Sequence, residues 1–423
     1  MVKILNIFFI VLIIWWIYKT QKTSGLRKYF FPTLIIKLLA GVGVGLLYFY
    51  HYGYGDTIGY HQDAILLSDL FLKDFSAYFK VLAGSAEENS QFIYSNQPRA
   101  FFLVKLLSLV HLLTGQNYWL SGVYFSLFSF VGFWALANSL VKYFPSNRLG
   151  ILIALLFFPS VVFWSSGIIK ESIAMGALMM LIKLLIDWLF THKISWKRIA
   201  LSFILLFLVW QLKYYYLGVF LIAVIPLTIT EKIRKTNRFT LNKYAVYGVL
   251  VIILVGLISL LHPNFHLSNI FQVIVDNHDL YVISSRPDQL IRYLDLQPNI
   301  WSIGYYFPLA IWSGFFRMGI WEVNQPIEYL IGIENFVLLI FAIGALFQVW
   351  YLKKSRYNLL IISAILYVAL LTGFLAMSAP NLGTLARYRV GFLPVLVLLV
   401  SSNNPLLNYL KSKFSVKVED ISE

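Results

Sequence analysis

The sequence predicts an all-α polytopic membrane protein, and three observations carry that prediction. Of 423 residues, 59% are apolar and only 13% are charged. Mean hydropathy is +0.74. Apolar runs of about 20 residues recur along the chain, the length at which an α-helix crosses a hydrocarbon layer of ~30 Å. The net charge of +15 would point to nucleic acid in a soluble protein. Here much of it lies in short loops between apolar runs, as the positive-inside rule requires, and no basic-aromatic domain suited to nucleic acid is present. The chain has no cysteine, which excludes disulfides, thiolate metal sites and a cysteine nucleophile.

The first run, Ile4–Tyr18 behind Lys3, has the outline of a leader peptide. No small-x-small cleavage site follows it, and Lys19, Lys22, Arg27 and Lys28 do, so it reads as a retained span. Four basic segments anchor the cytoplasmic side: Lys19–Lys28, Glu231–Arg238, Lys353–Arg356, and the tail with Lys411, Lys413 and Lys417. Lys142–Arg148 and His192–Arg198 agree with them. That choice predicts eleven spans, at 4–18, 30–50, 118–141, 149–168, 172–190, 199–213, 214–230, 244–261, 329–351, 358–376 and 387–402. The N-terminus then lies outside and the C-terminus inside. The pair 199–213 and 214–230 is short and needs local thinning or shelter by neighbours.

Ala100–Leu113 and Ile300–Phe316 are further apolar runs that do not fit as spans. Counting both gives an alternative of thirteen, but sends three basic segments outside. Lys105, Ser108 and His111 recur every three positions in the first run, forming one polar stripe on a helix. An in-plane helix at the outer interface is the expectation. Ile300–Phe316 lies in the interface too, or re-enters the bundle. Two external loops follow, at about 51–117 and 262–328. Without repeats or low-complexity linkers, residues 1–423 read as a single membrane-embedded domain.

With this topology several isolated acids and bases meet one face of the membrane, where such residues mark chemistry or transport. In Tyr54-Gly-Asp56-Thr-Ile-Gly-Tyr60-His-Gln-Asp63, a helix would place Asp56, Tyr60 and Asp63 on one face. A carboxylate at the membrane boundary is partly desolvated and becomes a better base; the plain alternative is that Asp56 caps the helix. Arg99 belongs to the same loop. Lys170 and Glu171, after Pro159 and Trp164, could neutralise and orient a phosphate, or form an ordinary snorkelling pair. Lys213 with Tyr214, Tyr215 and Tyr216 forms a similar outer corner.

Arg317, Trp321 and Glu322 lie among glycines and aromatics, where Trp stacks on sugars and Arg forks onto phosphate; a plain Arg317–Glu322 ion pair is the alternative. Arg387 and Arg389 enter the last span two residues apart and diverge by about 200°, so at least one should face the bundle and bind an anion. His262, His266 and His278 are too loosely spaced for a metal site. A divalent metal would fit only if Asp56 and Asp63 converged.

On these residues the chain resembles bacterial GT-C-type integral-membrane glycosyltransferases, which use polyprenyl-phosphate-linked sugars. Their plan is a span, an external loop with an acidic motif and in-plane helices, then a hydrophobic bundle. Here 30–50, Asp56/Asp63 and 100–113 match that opening, and the likeness of architecture covers about 30–400. Asp56 and Asp63 stand seven apart, whereas the family's acids are adjacent or nearly so, and the first span is additional. The Asn381–Arg389 segment also resembles O-antigen polymerases. The resemblance implies transfer of a sugar from a polyprenyl-linked donor to a glycan, lipid or protein acceptor. It places the site on the outer face of the bacterial cytoplasmic membrane, with Asp56 as base and Arg387 and Arg389 on the lipid phosphate. The rivals are an O-antigen or exopolysaccharide polymerase or ligase, and a lipid-linked sugar flippase or transporter.

Overall fold

The structure, a computed structural model, describes residues 2–21, 24–84, 91–193, 195–235, 242–260, 266, 269–323, 326–347 and 357–419. Lys22, residues 236–238, Lys353–Arg356 and His262 lie outside the described residues, so those basic anchors are known from sequence alone. Among the described residues every regular element is helical, and the one β-bridge joins Leu290 to Asn381. Seven of these helices are long and apolar enough to cross a membrane, or eight if a bent pair is one span. Large side chains such as Ile4, Phe8, Phe203 and Leu330 stand exposed on them, as lipid-facing positions require. The chain is a helical membrane-embedded protein. Its backbone gathers into two compact units, Met1–Pro145 with Leu155–Tyr214, and Ser146–Ala154 with Tyr215–Glu423.

The first unit opens with α1 (Val2–Thr20) and α2 (Phe30–Leu46), which runs on through a wide turn to Tyr52. α3 (Asp56–Lys73), α4 (Phe75–Ala83) and α5 (Pro98–Thr114) make up the first loop. α6 (Tyr118–Tyr143), α8 (Pro159–Phe163) and α9 (Lys170–Thr191) follow. Asn117 starts α6 by accepting the Leu120 amide at 3.0 Å, and Asp74 starts α4 by accepting that of Ala77 at 2.9 Å. A Cβ on Gly132 in α6 would run into the Gly176 carbonyl of α9. The two backbones meet there, as small residues allow in membrane helix pairs. Asn6 ties α1 to its neighbours, donating to Leu113 O at 2.9 Å and accepting from the Tyr124 hydroxyl at 2.8 Å.

α5 carries the stripe expected to meet water at an interface. The stripe is turned inward instead. Ser108 and His111 are fully buried, Lys105 donates to Leu82 O at 2.9 Å, and Ser108 meets the Tyr78 hydroxyl at 3.1 Å. The polar periodicity is that of an internal seam against α3 and α4, where polar partners inside the unit offset part of the cost of burial.

The expected span 149–168 is broken into α7 (Arg148–Leu152), a wide turn over 153–157, and α8. Pro159 explains the break, since it lacks an N–H and begins a helix well but cannot continue one. The run expected as 199–213 and 214–230 is one helical stretch, α10 (Trp196–Lys235), whose backbone leaves helical geometry at Lys213 (φ −147°, ψ 64°).

The second unit contains α7, the latter part of α10, α11 (Lys243–Ile258) and α12 (Ile270–Ser284). α13 (Ile300–Phe316), α14 (Pro326–Leu346) and α15 (Asn358–Ser378) follow, then α16 (Leu382–Tyr388), α17 (Leu393–Ser401) and α18 (Pro405–Glu419). α11 is shorter than the span expected at 244–261. The span expected at 387–402 is a helix pair bent by 70°. Asn299 caps α13 and Asn381 caps α16, each accepting an amide three residues on at 2.9 Å.

Candidate functional site

In the first unit the loop residues singled out by sequence come together. Gly55 precedes α3 with φ 142° and ψ −173°, a conformation open essentially to glycine alone, and a Cβ there would lie 2.8 Å from the Tyr48 ring. This places Asp56 at the first position of α3, where the helix dipole favours a carboxylate. Gly55, not Asp56, occupies the capping position. Asp56 remains partly exposed.

Asp63 is different. It is wholly buried, and its two oxygens accept the backbone N–H groups of Ile93 at 3.0 Å and Tyr94 at 2.9 Å. Burial pushes its carboxyl above the usual range, opposed by those two bonds. Asp63 fastens the 91–97 turn to α3. Among the described residues no three His, Cys, Asp or Glu converge as a metal site would require.

The fastened turn delivers Tyr94, whose ring lies 4.7 Å from that of Tyr60 and closes over Gly59, where a Cβ would be 2.9 Å away. Burial raises the Tyr94 hydroxyl, with the charges of Asp56, Tyr54, Asp63 and Tyr48 adding to the effect, so it stays protonated near the carboxylates. The Lys170 ammonium lies 5.7 Å from the Tyr60 ring. Its neighbour Glu171 forms an ion pair with Lys213 at 2.7 Å, with side-chain exposures of 1% and 3%. Tyr214, next along, carries the Arg99 guanidinium 3.9 Å above its ring.

Asp56, Tyr60, Tyr94, Lys170, Glu171, Lys213, Tyr214 and Arg99 thus form one continuous cluster within this unit. Asp56, Lys170 and Arg99 are partly exposed, while the Glu171–Lys213 pair is buried. That arrangement offers a carboxylate to take a proton, two cations to meet an anion, and aromatic faces between them.

In the second unit Arg317 and Glu322 pair at 2.6 Å, and Glu322 also accepts the Gly319 amide at 3.0 Å. Trp321 stands 73% exposed beside them. Arg389 is buried, and the anion it meets is Glu334, 3.0 Å away. Its charge is compensated inside the fold by that carboxylate. Arg387 stays partly exposed, its guanidinium 5.1 Å from the Tyr388 ring.

Tyr94, Glu334, Asn335 and Lys37 were not singled out from sequence. Lys37 in α2 is 4% exposed, donates to Ser165 Oγ and lies 4.7 Å from the Phe133 ring. A usable signal existed for three of them: Lys37, Glu334 and Asn335 are polar residues within apolar spans. Tyr94 had no such signal. Comparison of the chain with protein-family models, with curated proteins and with solved structures finds no match in any of the three.

Proposed function

We propose that this chain is an integral-membrane glycosyltransferase. It would move a sugar from a polyprenyl-phosphate or diphosphate donor to a cell-envelope glycan, lipid or protein acceptor at the outer face of the bacterial cytoplasmic membrane. The observation that carries the reading is the first-unit cluster, in which a partly exposed Asp56 shares one patch with Tyr60, Tyr94, Lys170 and Arg99. Asp56 takes the proton of an acceptor hydroxyl while that oxygen bonds to the anomeric carbon. The bond from that carbon to the phosphate oxygen breaks, and the electron pair leaves with the phosphate. Lys170 and Arg99 offset the charge that develops there. One displacement by an external hydroxyl inverts the anomeric centre.

Eleven spans and a GT-C-like plan belong to the same proposal. A straight helix over Trp196–Arg234, 39 residues, would be roughly 60 Å long, twice the hydrocarbon thickness. The break at Lys213 divides it into two lengths that each suit one crossing.

The polymerase reading asks arginines to dominate, and Arg389 is already paired with Glu334. One observation favours transport: Lys37, buried within a span beside a serine hydroxyl, is the kind of group that lines ion paths. Membranes supplied with radiolabelled polyprenyl-phosphate sugars separate these readings. Transfer reads as donor turnover that Asp56→Asn abolishes and Lys37→Met spares. Turnover kept in Asp56→Asn removes the proposed base, and loss only in Lys37→Met favours transport.

A further inference from the structure

The 317–322 turn in the second unit is held in place more firmly than a surface connection requires. Met318 sits at φ 62°, a left-handed conformation costly for a non-glycine residue. Asn335 of α14 secures it from below, its amide donating to Arg317 O at 2.7 Å and Met318 O at 3.2 Å. Gly332 lets α14 approach, since a Cβ there would stand 3.2 Å from the Ile320 Cα. Glu322 closes the turn onto the Gly319 amide. Strain kept by several independent bonds is a feature of binding sites.

The turn, α13 and α14 line a small, partly open cleft of about 50 Å³, room for part of a ligand with the rest left at the surface. Trp312, Phe316, Trp321 and Phe336 supply apolar walls, and Arg317, Glu322 and Asn335 the polar ones. Asn335 is 1% exposed, yet its Oδ1 has no hydrogen-bond partner. Leaving a buried acceptor unmade is costly, and a ligand hydroxyl would satisfy it. Arg317 engages Glu322 through Nε, which leaves the terminal guanidinium N–H groups as donors. Its charge is already compensated, so the pocket has little net attraction for phosphate.

We infer that this pocket binds a neutral saccharide ring, with Trp321 and Trp312 against its apolar face, Asn335 Oδ1 accepting from a hydroxyl, and Arg317 donating to another. The inference deepens the transferase reading, and rests on it only for the source of the sugar. It also revises Arg317 from a phosphate ligand to a sugar ligand.

The test is saturation-transfer NMR on the purified full chain in lauryldimethylamine oxide, which has no sugar headgroup. The probes are methyl glycosides of glucose, galactose, mannose and N-acetylglucosamine, with inorganic phosphate as competitor. At least one glycoside is expected to bind, to weaken about tenfold in Trp321→Ala, the scale on which losing one stacked ring acts, and to resist displacement by phosphate. Trp321 is exposed, so this variant keeps the fold. Glu322→Gln, which uncovers the Arg317 charge, is expected to gain phosphate binding that the native chain lacks. Absence of binding by all four glycosides, binding unchanged in Trp321→Ala, or displacement by phosphate in the native chain overturns the inference. Because the assay needs no polyprenyl donor, loss of glycoside binding with intact donor turnover refutes the pocket alone. Binding without turnover refutes the transferase alone.

Discussion

Replacing Lys213 by methionine tests the buried pair beneath the first-unit cluster. Lys213 and Glu171 are 2.7 Å apart, with side-chain exposures of 3% and 1%. At an effective dielectric of about 20 that separation is worth roughly 6 kcal/mol of attraction, most of it offset by the cost of taking both charges out of water. The net value of the pair is therefore small, but removing one partner leaves a carboxylate buried without its counter-charge, at about 3–5 kcal/mol. An exposed pair would cost under about 1 kcal/mol. Reversible unfolding in SDS, followed by tryptophan fluorescence, should show Lys213→Met strongly destabilised. Glu171→Gln should be destabilised too, and the double variant should recover most of the loss. A coupling energy near zero, with the double variant as unstable as the sum of the singles, would refute the reasoning.

The seam between α3 and α5 should be acid-labile. His61 Nδ1 and His111 Nε2 are 3.2 Å apart, and burial with the charge of His61 pushes His111 down to about 4. The folded value lies below the unfolded one of about 6.5, so this contribution is complete above that pH and is lost as pH falls towards about 4, up to ~3 kcal/mol. Thermal unfolding from pH 7 to pH 4 should show the decline in the native chain and not in His111→Gln; parallel curves contradict it. Asp63→Asn keeps one acceptor oxygen and loses the other, which should cost about 1–3 kcal/mol and loosen 91–97, seen as faster hydrogen exchange at Ile93 and Tyr94. Unchanged exchange there refutes the fastening role. Gly132→Val puts a side chain against the Gly176 backbone and should cost at least about 1–3 kcal/mol, measured in the same SDS titration; a neutral result denies the backbone contact between α6 and α9.

The long apolar helices were legible because a 20-residue run with few charges leaves little other choice. The acids and bases were legible as types, since a charge near a membrane is conspicuous in sequence. Their partners were not. Asp63 shares a helical face with Asp56, as the spacing predicts, but its burial is decided by the amides of Ile93 and Tyr94, thirty residues away and without any side-chain signature. Arg389 faces inward as its spacing with Arg387 requires, yet Glu334, the anion it meets, lies 55 residues earlier within an apolar run. Periodicity identified the stripe of Lys105, Ser108 and His111 on α5 but says nothing of whether water or protein lies against it. Pairing across long sequence separation is a tertiary fact, and one sequence does not encode it in any local pattern.

The native chain has no cysteine, so a single Arg99→Cys variant gives one labelling site in the centre of the account. In right-side-out membrane vesicles, an impermeant maleimide should label it from outside, and added polyprenyl phosphate should slow the labelling. Labelling only after lysis, or at a rate indifferent to polyprenyl phosphate, would contradict an outward-facing cluster that binds the lipid phosphate.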